Sequence, residues 1–405
     1  MLSSYFKDLR AVGAKFEAQK IAFSPLCFWA VDTMLKSGFL KIVESCGENG
    51  ICRDELVEKS EFDSYGVNLL SEIALGMGIL KLAQNLQNKN TILNSHSNQK
   101  AKNATPPPPR QLDDNEFNTL TQNLNINTQK DNFCVKLGKV GWFLLYDELT
   151  RVNFNFTRDI CYDGAKELFT SLKTHRPAGL KTFSTKWNTL YEGLSRLPKQ
   201  AKQSWFEFDH YYSDCVFPSA LPIVFEKKVN LIYDIGGNTA KFAIAACEFD
   251  ENVKVCIVDL PSQTQLAQEN IKNAHFQERI STFNADILST NFTLSENPDV
   301  VWLSQFLDCF SLQQITFILQ KIRQISNKNT RIFVLEPLWD KQKYEAAAFS
   351  LQATSLYFAT MANGKSKMYG FDELCEAVCR AGFTLTKVHH HLSVQDYSLL
   401  EFKLC

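Results

Sequence analysis

A short apolar run, Val229–Ile235, ends in Asp234-Ile235-Gly236-Gly237-Asn238, and a second, Val253–Val258, ends in Asp259, 25 residues after Asp234. A glycine pair at a strand end lets the backbone approach a ligand closely, because no Cβ stands in the way. A carboxylate closing the neighbouring strand can accept hydrogen bonds from both hydroxyls of a ribose. A third acid, Asp286 in Asn284-Ala285-Asp286-Ile287-Leu288, follows a third strand-like run and is placed to meet an adenine. Such a set serves either a dinucleotide or S-adenosyl-L-methionine. A dinucleotide wants a third glycine where its pyrophosphate meets a helix N-terminus. Asn238 and Ala240 stand there instead. S-adenosylmethionine carries no phosphate and tolerates that loss, so a nicotinamide oxidoreductase is the weaker reading.

Around these acids lie aromatics suited to a flat pocket or to a cationic sulfonium: Trp205, Phe206, Phe208, Tyr211, Tyr212, Trp302 and Phe306. Each taken singly is more often core packing. His210 sits among them as a candidate base, although a lone histidine in this setting is more often a hydrogen-bonded structural residue. His389-His390-His391 invites a metal, but adjacent strand residues point to opposite faces. A solvated edge is expected there, and no metal ligand set is evident.

The elements that must carry these residues alternate. The runs at 229–235, 253–258, 281–284, 299–303 and 331–335 read as strands, with a helix from Gln263 to Asn273 and another opened by a capping box at Ser311 and Gln314. Two terminal strands, Thr384–Val388 and Tyr397–Phe402, follow long helical stretches. This alternation predicts an α/β fold, a Rossmann-like parallel sheet with helices on both faces and its ligand at the carboxyl ends of the first strands. Residues 1–83 are helical instead: Phe23, Cys27, Phe28, Val31, Met34 and Leu35 share a face, and Arg53–Val57 and Gly66–Ala74 form two shorter helices. Residues 133–144 read as a strand and turn, so the N-terminal part resembles a winged-helix module. Between them, 84–131 is rich in Asn, Gln, Ser, Thr and Lys and holds four of twelve prolines at 106–109, which predicts a polar flexible insertion. Residues 132–204 are assigned to the remainder of the N-terminal domain and 205–405 to the ligand-binding domain.

Composition narrows the function classes. With 43 Lys+Arg against 44 Asp+Glu the net charge is −1, leaving no basic excess to neutralise the phosphates of nucleic acid. No apolar stretch reaches the roughly 18 residues needed to span a bilayer. Met1–Asp8 lacks the features of a secretory signal, so a cytoplasmic location is expected. The twelve cysteines contain no CxxC pair, and packed thiols are expected in preference to a disulfide framework or zinc site.

Leu231–Gly237, Val258-Asp259-Leu260-Pro261 and Ala285-Asp286-Ile287-Leu288 resemble the cofactor motifs of class I S-adenosylmethionine-dependent methyltransferases. More narrowly, they are similar to the small-molecule O-methyltransferases of the plant caffeate and hydroxyindole type. The resemblance implies S-adenosyl-L-methionine as cofactor, held by Asp234, Gly236, Gly237, Asn238, Asp259, Leu260, Asp286, Ile287, Ser304 and Gln305. It also implies a homodimer joined through the N-terminal domain, and a small aromatic acceptor, free or bound to a carrier protein. Trp205–Asp214, Trp302–Ser311 and Glu336–Asp340 resemble a bacterial branch found with aryl-polyene pigment genes, which implies a phenolic acceptor methylated on oxygen or on ring carbon.

That family places a catalytic histidine after the fourth strand, where this chain has Leu307-Asp308-Cys309-Phe310. Asp308 therefore occupies the base position. The first supporting acid matches Glu336 and the second falls on Ser366. A phenol near pKa 10 and an ordinary Asp near 3.9 differ by about 6 units, against about 3.5 for histidine. Asp308 thus needs burial and like charge to work as a base. If it only caps the following helix, proximity must supply the rate, or the chain is a regulator that binds cofactor without catalysis.

Overall fold

A computed structural model describes residues 9–83, 133–289 and 297–405. They divide into two compact units, 9–151 and 152–405.

In the first unit, helices Ala11–Lys36, Phe39–Ser45, Arg53–Lys59 and Ser64–Gly76 precede and pack with a small antiparallel sheet. Its strands, β1 (Ile51–Cys52), β2 (Leu80–Leu82) and β3 (Cys134–Leu137), lie in the order β1-β3-β2. Asp63 caps Ser64–Gly76 by accepting from Gly66 N at 2.9 Å, which satisfies one of the orphan donors of the first turn. On the long first helix only the C-terminal end, at Val31 and Met34, is buried. Phe23, expected on the packed face, is 55% exposed, as are Phe16 (52%), Ile21 (75%) and Leu26 (70%).

The second unit is built on a seven-stranded sheet in the order β6-β5-β4-β7-β8-β10-β9. These are β4 (Leu231–Ile235), β5 (Lys254–Asp259), β6 (Ile280–Asn284), β7 (Val300–Ser304), β8 (Arg331–Glu336), β9 (Phe383–Leu392) and β10 (Tyr397–Leu404). β4 to β8 are parallel, and β10 runs antiparallel to both β8 and β9. Side chains alternate between two buried clusters. Val300, Trp302, Phe333, Leu335 and Leu399 pack on one face; Val301, Leu303, Ile332, Val334 and Leu400 pack on the other. A strand covered on both faces must be apolar throughout, which is why these runs lack the polar alternation of an exposed sheet. Trp302 stacks on Phe242 at 4.0 Å, anchoring helix Lys241–Phe249 beneath the centre of the sheet. The Ser311–Gln314 capping box forms both of its hydrogen bonds and starts Leu312–Gln324.

Three expectations change. Residues 152–204 pack with the sheet unit and not with the N-terminal one: Phe156 stacks on Phe208 at 3.9 Å and meets Tyr357 edge-on at 4.8 Å. Beyond β3 the chain does not turn as a strand would but forms helix Lys139–Tyr146. Cys52 and Cys134 face each other in the β1–β3 register and are disulfide-bonded, so two of the cysteines are not packed thiols. Spacing along the chain could not show this, because the pairing joins residues 82 apart. The polar insertion, 84–131, lies outside the described residues.

Candidate functional site

The parallel strands all end on one side, and the loops after β4, β5, β6 and β7 meet there. Gly236 leaves β4 with φ +77°, and a Cβ at this position would strike the Phe306 ring. A Cβ on Gly237 would come within 2.7 Å of Asp234 Oδ2. Asn238 donates its backbone N–H to Asp259 Oδ2 at 2.9 Å, and Leu260 donates to Oδ1 at 2.7 Å. The Asp259 carboxylate thus ties the β4 loop to the end of β5. Each of its oxygens still has a lone pair for a ligand. Asn238 Nδ2 also donates to Asp209 Oδ2 at 3.1 Å, joining the loop to helix Lys199–Ser213.

Beneath the loop Asp234 is buried, and its Oδ2 has no hydrogen-bond partner among the described residues. Burial, with the Asp259 charge adding to it, pushes this carboxyl up to about 8. After β6, Asp286 Oδ1 accepts from Leu288 N at 2.9 Å. Gln305 follows β7 with φ 45°; its amide donates to Tyr212 O at 2.6 Å and to the Tyr397 hydroxyl.

Asp308 sits in the short 3-10 turn Leu307–Cys309 and is 6% exposed. Glu336, at the end of β8, is buried beneath that turn and accepts from the N–H groups of Phe306 (3.2 Å) and Leu307 (3.0 Å). Glu336 therefore fixes the backbone that presents Asp308. Burial drives both acids upward. Glu336 rises well above the carboxylate range, with Asp308 as the next cause. Asp308 is pushed up to about 7 by burial; the Cys309 thiol opposes the rise and the Asp209 charge adds to it. At neutral pH the buried pair keeps a proton between its two carboxyls, and Asp308 is the member that lines the cavity. Its Oδ1 has no hydrogen-bond partner among the described residues.

Side chains from three further regions complete the enclosure. Tyr191, in the 3-10 stretch Leu190–Arg196, donates its hydroxyl to Cys309 Sγ at 3.1 Å. Trp205 Nε1 donates to the Tyr357 hydroxyl at 3.0 Å. Asn363 donates to Cys309 O at 2.9 Å and to Ser366 Oγ at 2.8 Å, so Ser366 supports a loop where the family pattern has an acid.

The result is a cavity of about 1150 Å³. Its lining includes Gly236, Asn238, Asp259, Leu260, Asp286, Ile287, Gln305 and Asp308, brought together from four strand ends. Asp234, Gly237, Ser304 and Glu336 stand outside the lining, Asp234 and Glu336 buried behind it. His210 is also absent from the lining and stacks on Phe206 at 5.9 Å, whereas Asp209, one residue earlier, lines the cavity. Along helix Lys199–Ser213 and the strand ends, the lining holds Asp209, Asp259, Asp286 and Asp308 and no lysine or arginine. That charge set repels a pyrophosphate and suits a ligand bearing a sulfonium and an ammonium group.

Residues 213–384 match the O-methyltransferase domain family, and residues 15–87 match a Dimerisation2-like domain. The O-methyltransferase match lies wholly within the sheet unit. The L-tyrosine C(3)-methyltransferase of Streptomyces lavendulae is 21% identical over 228 residues, 56% of this chain. The match spans 61% of the length of that curated relative. The apo structure of the S-adenosylmethionine-dependent methyltransferase SibL superposes with a TM-score of 0.64 at 17% identity, covering 96% of this chain and 98% of that one. The O-methyltransferase NcsB1 from neocarzinostatin biosynthesis, in complex with S-adenosylmethionine and 2-hydroxy-5-methyl naphthoic acid, gives 0.56 at 13% identity, covering 93% and 96%. At these identities the solved structures show a shared fold.

Among the residues lining the cavity, sequence reasoning missed Tyr191, Cys309, Tyr357 and Asn363. All four belong to turns, 3-10 segments or helix ends that carry no periodic signal. Cys309 had been read as an ordinary packed thiol, yet it lines the cavity beside Asp308.

Proposed function

We propose that this chain is an S-adenosyl-L-methionine-dependent methyltransferase that methylates a small aromatic hydroxyl compound, with oxygen the favoured acceptor atom. The observation that carries the reading is Asp308: a buried acid, poised near neutrality, in one cavity with the glycine loop and acids of the β4–β6 ends. S-adenosylmethionine, when bound, supplies an electrophilic methyl group on a cationic sulfonium. Gly236, Gly237 and Asn238 shape the bed for its amino-acid portion, Asp259 accepts from the ribose hydroxyls, and Asp286 meets the adenine. Asp308 Oδ1 takes the proton of the acceptor hydroxyl. A carboxylate near 7 is about 3 units below a phenol, half the mismatch of an unperturbed Asp. The aromatic walls hold the acceptor in line and exclude water, which contributes the larger part of the rate.

Asp308→Asn is expected to lower kcat by about 10²–10⁴-fold, the range of a general base, while S-adenosylhomocysteine still binds. Unchanged turnover would sink the base assignment, and binding without any transfer across a phenol panel would favour a regulator. The similarity to a tyrosine C(3)-methyltransferase supports a second reading, methylation of ring carbon beside the hydroxyl. A phenolate assists that attack too, so Asp308 serves either outcome. A ¹³C-methyl label read by NMR in the product separates O–CH₃ from C–CH₃.

The exposed apolar side chains of helix Ala11–Lys36, within the Dimerisation2-like segment, support a homodimer. Ile21→Glu is expected to convert dimer to monomer by light scattering; an unaltered mass would reject that interface.

A further inference from the structure

Charge is divided within the cavity. Every charged group from helix Lys199–Ser213 and the strand ends is an acid, whereas the rest of the lining carries the cations Arg176, Lys181 and Lys365 together with the acids Glu167 and Glu192. Lys181 is neutralised by Glu167 at 2.9 Å. Arg176 and Lys365 have no ion-pair partner among the described residues, and both are exposed. Their proximity is imposed by the backbone. Gly364 has φ +80°, and a Cβ there would come 2.5–2.7 Å from the backbone atoms of Arg176. Only a glycine allows this approach, which brings Lys365 beside Arg176 at the mouth. The same lining is rich in aromatics, with Trp187, Tyr191, Trp205 and Phe358 among them.

We infer that the acceptor carries an anionic group, a carboxylate or phosphate, which Arg176 and Lys365 bind at the cavity mouth while its aromatic hydroxyl reaches Asp308. This rests on the methyltransferase reading and adds the charge of the substrate. Two uncompensated cations at one end of an aromatic slot, and only acids at the other, orient a molecule with one anionic end. Both cations are solvent-exposed, so each ion pair contributes modestly, on the order of 1 kcal/mol. Together they amount to about tenfold or somewhat more in Kd. The shared chemistry has two sources: a free aromatic acid, or the phosphate of a pantetheine arm bearing the aromatic group as a thioester.

The test measures binding by quenching of tryptophan fluorescence, with S-adenosylhomocysteine present. Three probes are compared: a 4-hydroxyaryl carboxylate, its methyl ester, and the 4-hydroxyaryl thioester of phosphopantetheine. The expected result is that an anionic probe binds about tenfold more tightly than the ester. This preference should vanish in Arg176→Met/Lys365→Met and weaken with added salt, with the ester bound equally by both proteins. If the carboxylate alone is preferred, the acceptor is a free acid; if the phosphopantetheine thioester alone is preferred, it is carrier-borne. Equal binding of all three probes, or a preference that survives the double substitution, overturns the inference. S-adenosylhomocysteine binding, titrated first in the same samples, reports on the parent reading: its absence defeats the methyltransferase assignment, whereas its presence with no charge preference defeats only the anionic acceptor.

Discussion

The two halves of the cavity are built by different means. At the strand ends, the site is made of backbone: a glycine loop, its N–H groups on Asp259, and carboxylates delivered by parallel strands in fixed register. On the far side it is made of side chains from 3-10 and π segments, held by isolated hydrogen bonds such as Tyr191–Cys309 and Trp205–Tyr357. A backbone-built site tolerates little change, because every atom of it also belongs to the sheet. A side-chain-built site can vary one group at a time, which suits the part of an enzyme that selects its acceptor.

Four substitutions sharpen or break that contrast. The largest effect is expected at Asp234. Its folded carboxyl holds a proton up to about pH 8 and its unfolded one only to about 4, so the stability it contributes is full at acid pH and drains away as pH rises through 8. Asp234→Asn should flatten this loss, on the order of 4 kcal/mol, in urea titrations at pH 5 and pH 8.5. An equally steep decline in the variant would show that the buried acid is not responsible. Next comes Gly236→Ala, where strain at φ +77° and collision with Phe306 should weaken S-adenosylhomocysteine binding by about a hundredfold in calorimetry. Affinity within a factor of two of wild type would remove the close-approach argument.

Effects across the cavity should be smaller. Tyr191→Phe loses one hydrogen bond, about 1 kcal/mol, and should reduce kcat/KM about fivefold without altering cofactor-product affinity. The kcat–pH profile should rise through about 7 as Asp308 ionises. A profile flat from pH 5 to 9 would assign the limiting step elsewhere. Trp205→Phe should cost the least, roughly 0.5–1 kcal/mol of stability from the lost bond to Tyr357. A loss greater than that of Gly236→Ala would invert the contrast.

The legibility of the sequence follows the same division. The inner strands of the large sheet are signalled by apolar runs, because strands buried on both faces must be apolar, whereas the edge strands β6 and β9 are largely exposed and carry a weaker signal. The cavity-lining residues of the β4–β6 loops were readable for a related reason: a glycine or acid at a strand end stands out against such a run. Asp308 was found by the resemblance and not by pattern. Residues 152–204 pack with the sheet unit although they read as N-terminal, because the buried Val152, Phe156 and Ile160 recur every four residues as on any helix, and that spacing does not announce which unit they pack on. His210 and Asp209 are neighbours on one helix, and which of them faces the cavity depends on how that helix is rotated against Phe156 and Tyr357.

The sequence by itself determined the alternating architecture, the strand-end acids and glycines, and the absence of the third glycine of a dinucleotide site. These depend on local conformation and on periodic burial, both encoded within a few residues. The tertiary structure decided which carboxylate is poised near neutrality, which thiol lines the cavity, and that Arg176 and Lys365 share its mouth. Each of these depends on desolvation or on contacts between residues more than a hundred positions apart, such as Tyr191 with Cys309 and Gly364 with Arg176. Burial of a charge is a property of everything packed around it, and no stretch of chain carries that information alone.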